Sequence, residues 1–445
     1  MALAGMLIIP SAVFAHARLL RSNPAQGAKL ESRPSEIKLV FSEKPELSLC
    51  SIKIVWPAGD TTMLFPLRRD SSERNSVVAS LGGKASSGTY KVLWTAAASD
   101  GHPSHGTVEF SVVNAQAPVA SVDSNVTARL APVAPPENST MLVATGGALV
   151  SLIARWLGFV SIFLIIGAVT FRYFVLRRMS PGPGDLFVEI ATTNAATLGL
   201  IASVASIFAS MLKLSRESAD MPDAPLGSML FGSIWGLALL IQIIAALVAG
   251  GAFSAAHKNR ETTQARAWRF ALVAAVMFAI APALGGHALA ASQAFIAVPA
   301  DIAHIALGSM WLGTLAVIVI VGIPATLKAP DSIRPGARVA AMVNTFSPLA
   351  LTCGGAVVAT GVASSLLRLP SVAALWTSFY GVALLLKLFF VVLLFAAGAW
   401  NWKRMKPRLT GENAISPLRS SAWLELVLAA VVLAITAILV AVELP

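Results

Sequence analysis

Charge is scarce in this chain. Asp, Glu, Lys and Arg make up 12% of its 445 residues, where a soluble globular protein carries about 25%. Cysteine is scarcer still. Cys50 lies in a region of mixed polarity and Cys353 in an apolar run, so no disulfide framework is available and any exported part must rest on its own core. No Gly-x-x-x-x-Gly-Lys-Ser/Thr loop occurs, which argues against nucleotide-driven work by this chain. No Ser/His/Asp set suited to nucleophilic catalysis stands out. The net charge of +11 invites a nucleic-acid reading, but no basic face interleaved with aromatics accompanies it, and that reading is set aside.

What the chain has in excess is apolar sequence, at 56%. It is unevenly spread. Residues 16 to about 120 have an ordinary soluble balance. From about 144 onward, apolar runs of 20 or more residues recur, each long enough to cross a bilayer. The predicted organisation is a signal peptide over 1–15, a β-domain over 16–113, a linker over 114–143 and a membrane domain over 144–445. The leader ends in Val13-Phe14-Ala15, a small-x-small cleavage site, yet lacks the positive n-region of a signal peptide. A start codon further upstream would supply one.

In the head, Ile37–Ser42, Ser51–Trp56, Gly88–Thr95 and Thr107–Val113 read as strands, separated by turn signals such as Pro57-Ala58-Gly59-Asp60 and Gly82-Gly83. Short strands at this spacing predict a β-sandwich or barrel. The membrane part divides into eight predicted helices near 145–171, 189–212, 227–253, 268–286, 300–325, 338–366, 379–400 and 422–442. Basic residues crowd the loops after the odd-numbered segments: Arg172, Arg177 and Arg178; Lys258, Arg260, Arg266 and Arg269; Lys328, Arg334 and Arg338; Lys403, Arg404, Lys406, Arg408 and Arg419. The alternate loops hold Lys213, Arg216 and Arg368. The positive-inside rule puts the first set in the cytoplasm, leaving the head and the C-terminus outside a bacterial inner membrane.

Cleavage after Ala15 would make His16 the N-terminal residue, offering its α-amine and its imidazole to one metal. Asp100-Gly101-His102-Pro103-Ser104-His105-Gly106 can complete the set. His16, Asp100 and His102 together give three nitrogens and a carboxylate oxygen, which suits Cu(II); His105, expected in a loop, is a further ligand or a bystander. Met63 is the one methionine between 16 and 113, so a thioether-rich Cu(I) site is not expected in the head.

These residues carry a resemblance. The head resembles the periplasmic copper-binding CopC family at His16-Ala17, Ser22-Asn23-Pro24-Ala25-Gln26-Gly27, Leu39-Val40-Phe41-Ser42-Glu43 and Ala98-Ser99-Asp100-Gly101-His102-Pro103. The resemblance implies a cupredoxin-like, Ig-like Greek-key sandwich binding Cu(II) at His16, Asp100 and His102. The membrane part resembles the CopD family at Gly285-Gly286-His287-Ala288, Asp301-Ile302-Ala303-His304, Met310-Trp311-Leu312-Gly313, Phe346-Ser347, Thr360-Gly361-Val362, Tyr380-Gly381 and Leu386-Lys387-Leu388. The whole chain resembles a CopC–CopD fusion, a family associated with copper uptake or tolerance.

His287, Asp301 and His304 are the membrane-domain copper candidates, expected near the outer surface as an anionic, imidazole-bearing mouth. Asp301 and His304, at i and i+3, share a helix face. The competing reading makes Asp301 a helix cap and the histidines interfacial. Met310 and Cys353 are soft atoms that suit Cu(I), although such residues in membrane helices more often pack. Arg155 and Lys387 sit inside apolar runs and need partners, with Asp301 and Glu425 as candidates. The expected function is copper binding and import or tolerance, without catalysis. Expected partners are the copper ion, the bilayer, and periplasmic copper chaperones or reductases. The rivals are a copper- or haem-dependent oxidoreductase and a copper buffer or sensor.

Overall fold

The computed structural model describes residues 18–82, 86–97, 103–113, 141–182, 184–220, 226–257, 261–286, 293–329, 335–369, 371–405 and 415–442. It forms two compact units. One joins Met1–Thr145 with Leu212–Leu237; the other joins Gly146–Met211 with Ala238–Pro445. The first unit thus takes in a stretch, Leu212–Leu237, that the sequence assigns to the membrane domain.

Among the described residues, nine strands build the head: β1 Leu19–Asn23, β2 Ala28–Leu30, β3 Glu36–Phe41, β4 Ser51–Val55, β5 Thr61–Met63, β6 Leu67–Arg68, β7 Ser76–Ser80, β8 Gly88–Ala97 and β9 Pro103–Val112. They form a four-stranded sheet, β1-β3-β7-β6, and a five-stranded sheet, β2-β9-β8-β4-β5. All pairings are antiparallel except β2 with β9. The open choice between sandwich and barrel resolves as a sandwich. Alternation explains the core: Tyr90, Val92 and Trp94 of β8 face inward while Thr89, Lys91 and Leu93 do not. Ile37, Leu39, Phe41, Val77 and Ala79 of one sheet meet Ile52, Ile54, Val108 and Phe110 of the other. Tyr90 stacks on Phe110 at 5.1 Å, and Phe41 meets Trp94 edge-on at 5.3 Å.

The β8–β9 ladder runs from Gly88↔Val112 to Ala97↔Pro103, so residues 98–102 connect two strands already paired at their ends. Gly106 lies opposite Trp94, and a Cβ there would stand 2.7 Å from the indole ring. Only glycine leaves the ring its place against β9 without a shift.

The helices are α1 Met141–Thr170, α2 Asp185–Asp220, α3 Leu226–Gly232, α4 Ile234–Ala256, α5 Glu261–Leu284, α6 Ala294–Gly308, α7 Thr314–Val317, α8 Ile323–Lys328, α9 Pro335–Arg368, α10 Ala374–Thr377, α11 Phe379–Trp400 and α12 Ile415–Leu439. α6, α7 and α8 run on through two π-helical turns, Ser309–Gly313 and Ile318–Gly322, as one span. Among the described residues, eight spans are long and apolar enough to cross a membrane, as the hydropathy pattern predicts. Small side chains set their packing. Ala245, Ala249 and Ala252 of α4 and Ala271, Ala274 and Ala275 of α5 are buried in the shared core, where small residues let backbones approach. Arg172 is buried, ion-paired with Glu189, and lies over the Trp268 ring at 5.1 Å.

Candidate metal centre

Of the four head candidates, His16, Asp100 and His102 lie outside the described residues. His105 is described and corrects the expectation of a loop. It sits in β9 paired with Thr95, on the exposed face, opposite the inward-facing Val108 and Phe110. The β-ladder extends four residues further toward the connection than the apolar pattern suggested, because Pro103 to Gly106 pair with Ala97 to Trp94 despite their polarity. Among the described residues, no three His, Cys, Asp or Glu side chains come together to hold a metal. Cys50 is no candidate. It is buried, its Sγ donates to Glu46 O at 3.2 Å, and burial pushes its thiol up to about 12.

In the membrane domain, His287 also lies outside the described residues. Asp301 and His304 were expected at the start of their helix. The helix begins earlier, at Ala294, and continues through Pro299, so both sit about two to three turns along it. Asp301 is therefore no helix cap. Nor does it leave an unbalanced anionic mouth, since Arg368 of α9 ion-pairs with it and Ser364 Oγ donates to it at 3.0 Å. The charge pattern alone places Arg368 in a loop. Sequence could not show that it would reach back to Asp301 across a helix pair. Lys387 of α11 lies within electrostatic range of Asp301, Arg368 and His304.

His304 is set differently. Its Nδ1 is 3.0 Å from Thr360 Oγ1. The Thr360 hydroxyl donates its one proton to the backbone, at Ala356 O, 2.9 Å, or Val357 O, 3.1 Å. With the hydroxyl donating to its own helix, it accepts from His304, and in that arrangement Nδ1 carries the hydrogen and Nε2 keeps its lone pair. That tautomer is the one a histidine needs to bind a metal through Nε2, with the second nitrogen fixed by a hydrogen bond. Gly361 leaves the ring room: a Cβ there would stand 3.2 Å from His304 Cε1, and the ring would have to give by a few tenths of an ångström. The motif Thr360-Gly361 thus orients and accommodates one ring.

Met310 and Cys353 both lie within the helical core. Cys353 is buried in the helical core, and Met310, in the first π-helical turn, packs partly buried against it. Both cysteines are free thiols. Glu425 does not pair with Lys387; it accepts from Asn401 Nδ2, and both are buried between α11 and α12.

Three family descriptions match in tandem. The CopC domain covers residues 19–113, the copper resistance protein D-like N-terminal domain covers 141–298, and copper resistance protein D covers 340–439. The chain is a CopC–CopD fusion protein. The fusion aligns at 24% identity with the copper transport protein CutJ of Bacillus subtilis, over 94% of this chain and 73% of that protein. Its head aligns at 33% identity with copper resistance protein C of Pseudomonas syringae pv. tomato, over 24% of this chain and 89% of that protein. A solved structure, CopC from Methylosinus trichosporium OB3b, aligns at 22% identity over 23% of the fusion and all of that chain, with a TM-score of 0.21.

Proposed function

We propose that the fusion captures Cu(II) outside the bacterial inner membrane and carries copper across that membrane, without catalysing a reaction. The observation that carries this reading is the extent of the match. A copper transport protein aligns along 94% of the chain, head and helices together, rather than along one domain. A buffer or sensor would need the head alone.

In the head, the α-amine and imidazole of a processed His16, with Asp100 and His102, would bind Cu(II). The register Ala97↔Pro103 supports this by pairing the strand residues on either side of 98–102. His105 is an outer bystander on this account. In the membrane domain, His304 would receive copper through Nε2, with His287 as a second imidazole. Asp301 would first have to release Arg368, so its role is to hold that cation rather than to bind metal. Met310 and Cys353 would serve only as soft atoms deeper in the bundle.

Copper flux into proteoliposomes loaded with a chelating dye tests the reading. The account expects flux from the purified fusion that a His304→Ala variant loses. Wild-type vesicles as tight to copper as empty ones would overturn it.

A further inference from the structure

Within the first unit, the sandwich packs on the stretch Leu212–Leu237, which takes in the end of the second membrane span, the connection and the start of the third. The contact is a closed apolar cluster. Leu49, from a one-turn helix before β4, and Ala97, the last residue of β8, are buried with Leu214 and Met229, and Leu226, Leu230 and Trp235 pack around them.

A carboxylate seals the edge. Glu46 Oε1 accepts from the Ile234 N–H at 2.8 Å. Ile234 opens α4, and Ser233 Oγ accepts from Gly236 N at the same end, also at 2.8 Å. Two of the N–H groups that a helix start leaves unpaired are thereby satisfied. A carboxylate placed there is also favoured by the helix dipole. Burial pushes the Glu46 carboxyl up, while the Ile234 N–H, Arg69 and Lys44 oppose that shift. Glu46 is anchored on the strand side as well, its own N–H donating to Ala97 O at 2.8 Å. The 98–102 connection leaves β8 at that residue.

We infer that Leu212–Leu237 is a docking clasp which grips the sandwich at the end bearing the 98–102 connection, so that the head releases its cargo while docked. This rests on the copper-carrier reading. Glu46 is a positioning residue: it touches no cargo and ties the strand end to the start of α4. The contact also agrees with the charge pattern, since it places the head on the side of the loop that carries Lys213 and Arg216.

The test uses the full chain in lipid nanodiscs and vesicles. Amide hydrogen exchange is followed in residues 46–49 and 226–237 of the wild type, Glu46→Ala, Met229→Asp and Glu46→Gln. Glu46→Ala and Met229→Asp should speed exchange in both stretches together by about tenfold, while Glu46→Gln, which keeps an acceptor oxygen, should not. Copper flux should fall about tenfold in the first two variants, with Cu(II) affinity of the head unchanged within about twofold. Faster exchange confined to the mutated stretch would overturn the clasp. Unchanged flux with both stretches released would overturn its role in transfer. A wild type that moves no copper would instead sink the carrier reading and leave the exchange result to decide the clasp.

Discussion

Thr360 Oγ1 stands 3.0 Å from His304 Nδ1 and within reach of two backbone carbonyls of its own helix. With its proton on the backbone, the imidazole donates at Nδ1 and presents Nε2 as an acceptor. Replacing Thr360 with valine keeps the shape and removes the acceptor. Copper flux should fall about tenfold, the scale of losing a group that orients a metal-binding histidine, and Thr360→Ser should restore it. Equal flux in Thr360→Val and wild type would remove His304 from the route. Gly361→Ala should produce a similar loss by crowding the ring from the neighbouring position.

Trp94 needs Gly106. A Cβ at Gly106 would stand 2.7 Å from the indole, too close for any contact without displacement. Gly106→Ala should destabilise the isolated head by about 1–3 kcal/mol, the cost of overpacking a filled core. Urea unfolding followed by tryptophan fluorescence checks this, and an unchanged midpoint would mean that the ring moves freely.

The head should lose stability in acid through a definable group. The Asp70 carboxylate accepts from Lys38 Nζ at 2.6 Å and from the Ser72 backbone and hydroxyl, and these hydrogen bonds hold it well below its ordinary range. A depressed carboxyl stabilises the fold above its unfolded value and loses that contribution as pH falls below 3.8 toward the folded value. Asp70→Asn should flatten this part of the stability curve below pH 4 while lowering stability at neutral pH. A curve parallel to wild type in acid would contradict the assignment.

Asp301 and Arg368 should behave as one unit. Arg368→Ala leaves the Asp301 carboxylate without its ion-pair partner within a membrane helix, and Asp301→Asn leaves the cation. Each single change should lower thermal stability in detergent more than the double change does, because removing both partners removes the charge left without a counterpart. Additive losses would show that the pair is not coupled.

The apolar runs and basic loops made the eight spans legible, because length and charge bias act at the level of whole segments. The four strands read from the sequence are present for the same kind of reason: Ile37–Phe41 or Gly88–Thr95 alternates strongly enough to set its own face. β1, β2, β5, β6 and β7 were missed. Those of two or three residues are too short to show a period, and Ser76–Ser80 buries four of its five residues in succession. The pairing of Asp301 with Arg368 was also hidden, since it spans 67 positions and depends on how two helices turn toward each other. The Thr360–Gly361 setting for His304 was half visible. Both residues stood in a stretch resembling the family, but the hydroxyl's direction is a matter of geometry. The grip of Leu212–Leu237 on the head left no mark in hydropathy, because Met229 and Trp235 fall inside the predicted 227–253 span and Leu214 stands alone in the loop before it.

The most direct measurement is a Cu(II) titration of the head beginning at His16, beside the same domain with one extra residue at its N-terminus. The account predicts tight binding by the first and its loss in the second, because the extension turns the α-amine ligand into an amide. Equal binding by both, or binding by neither, would contradict the N-terminal copper site.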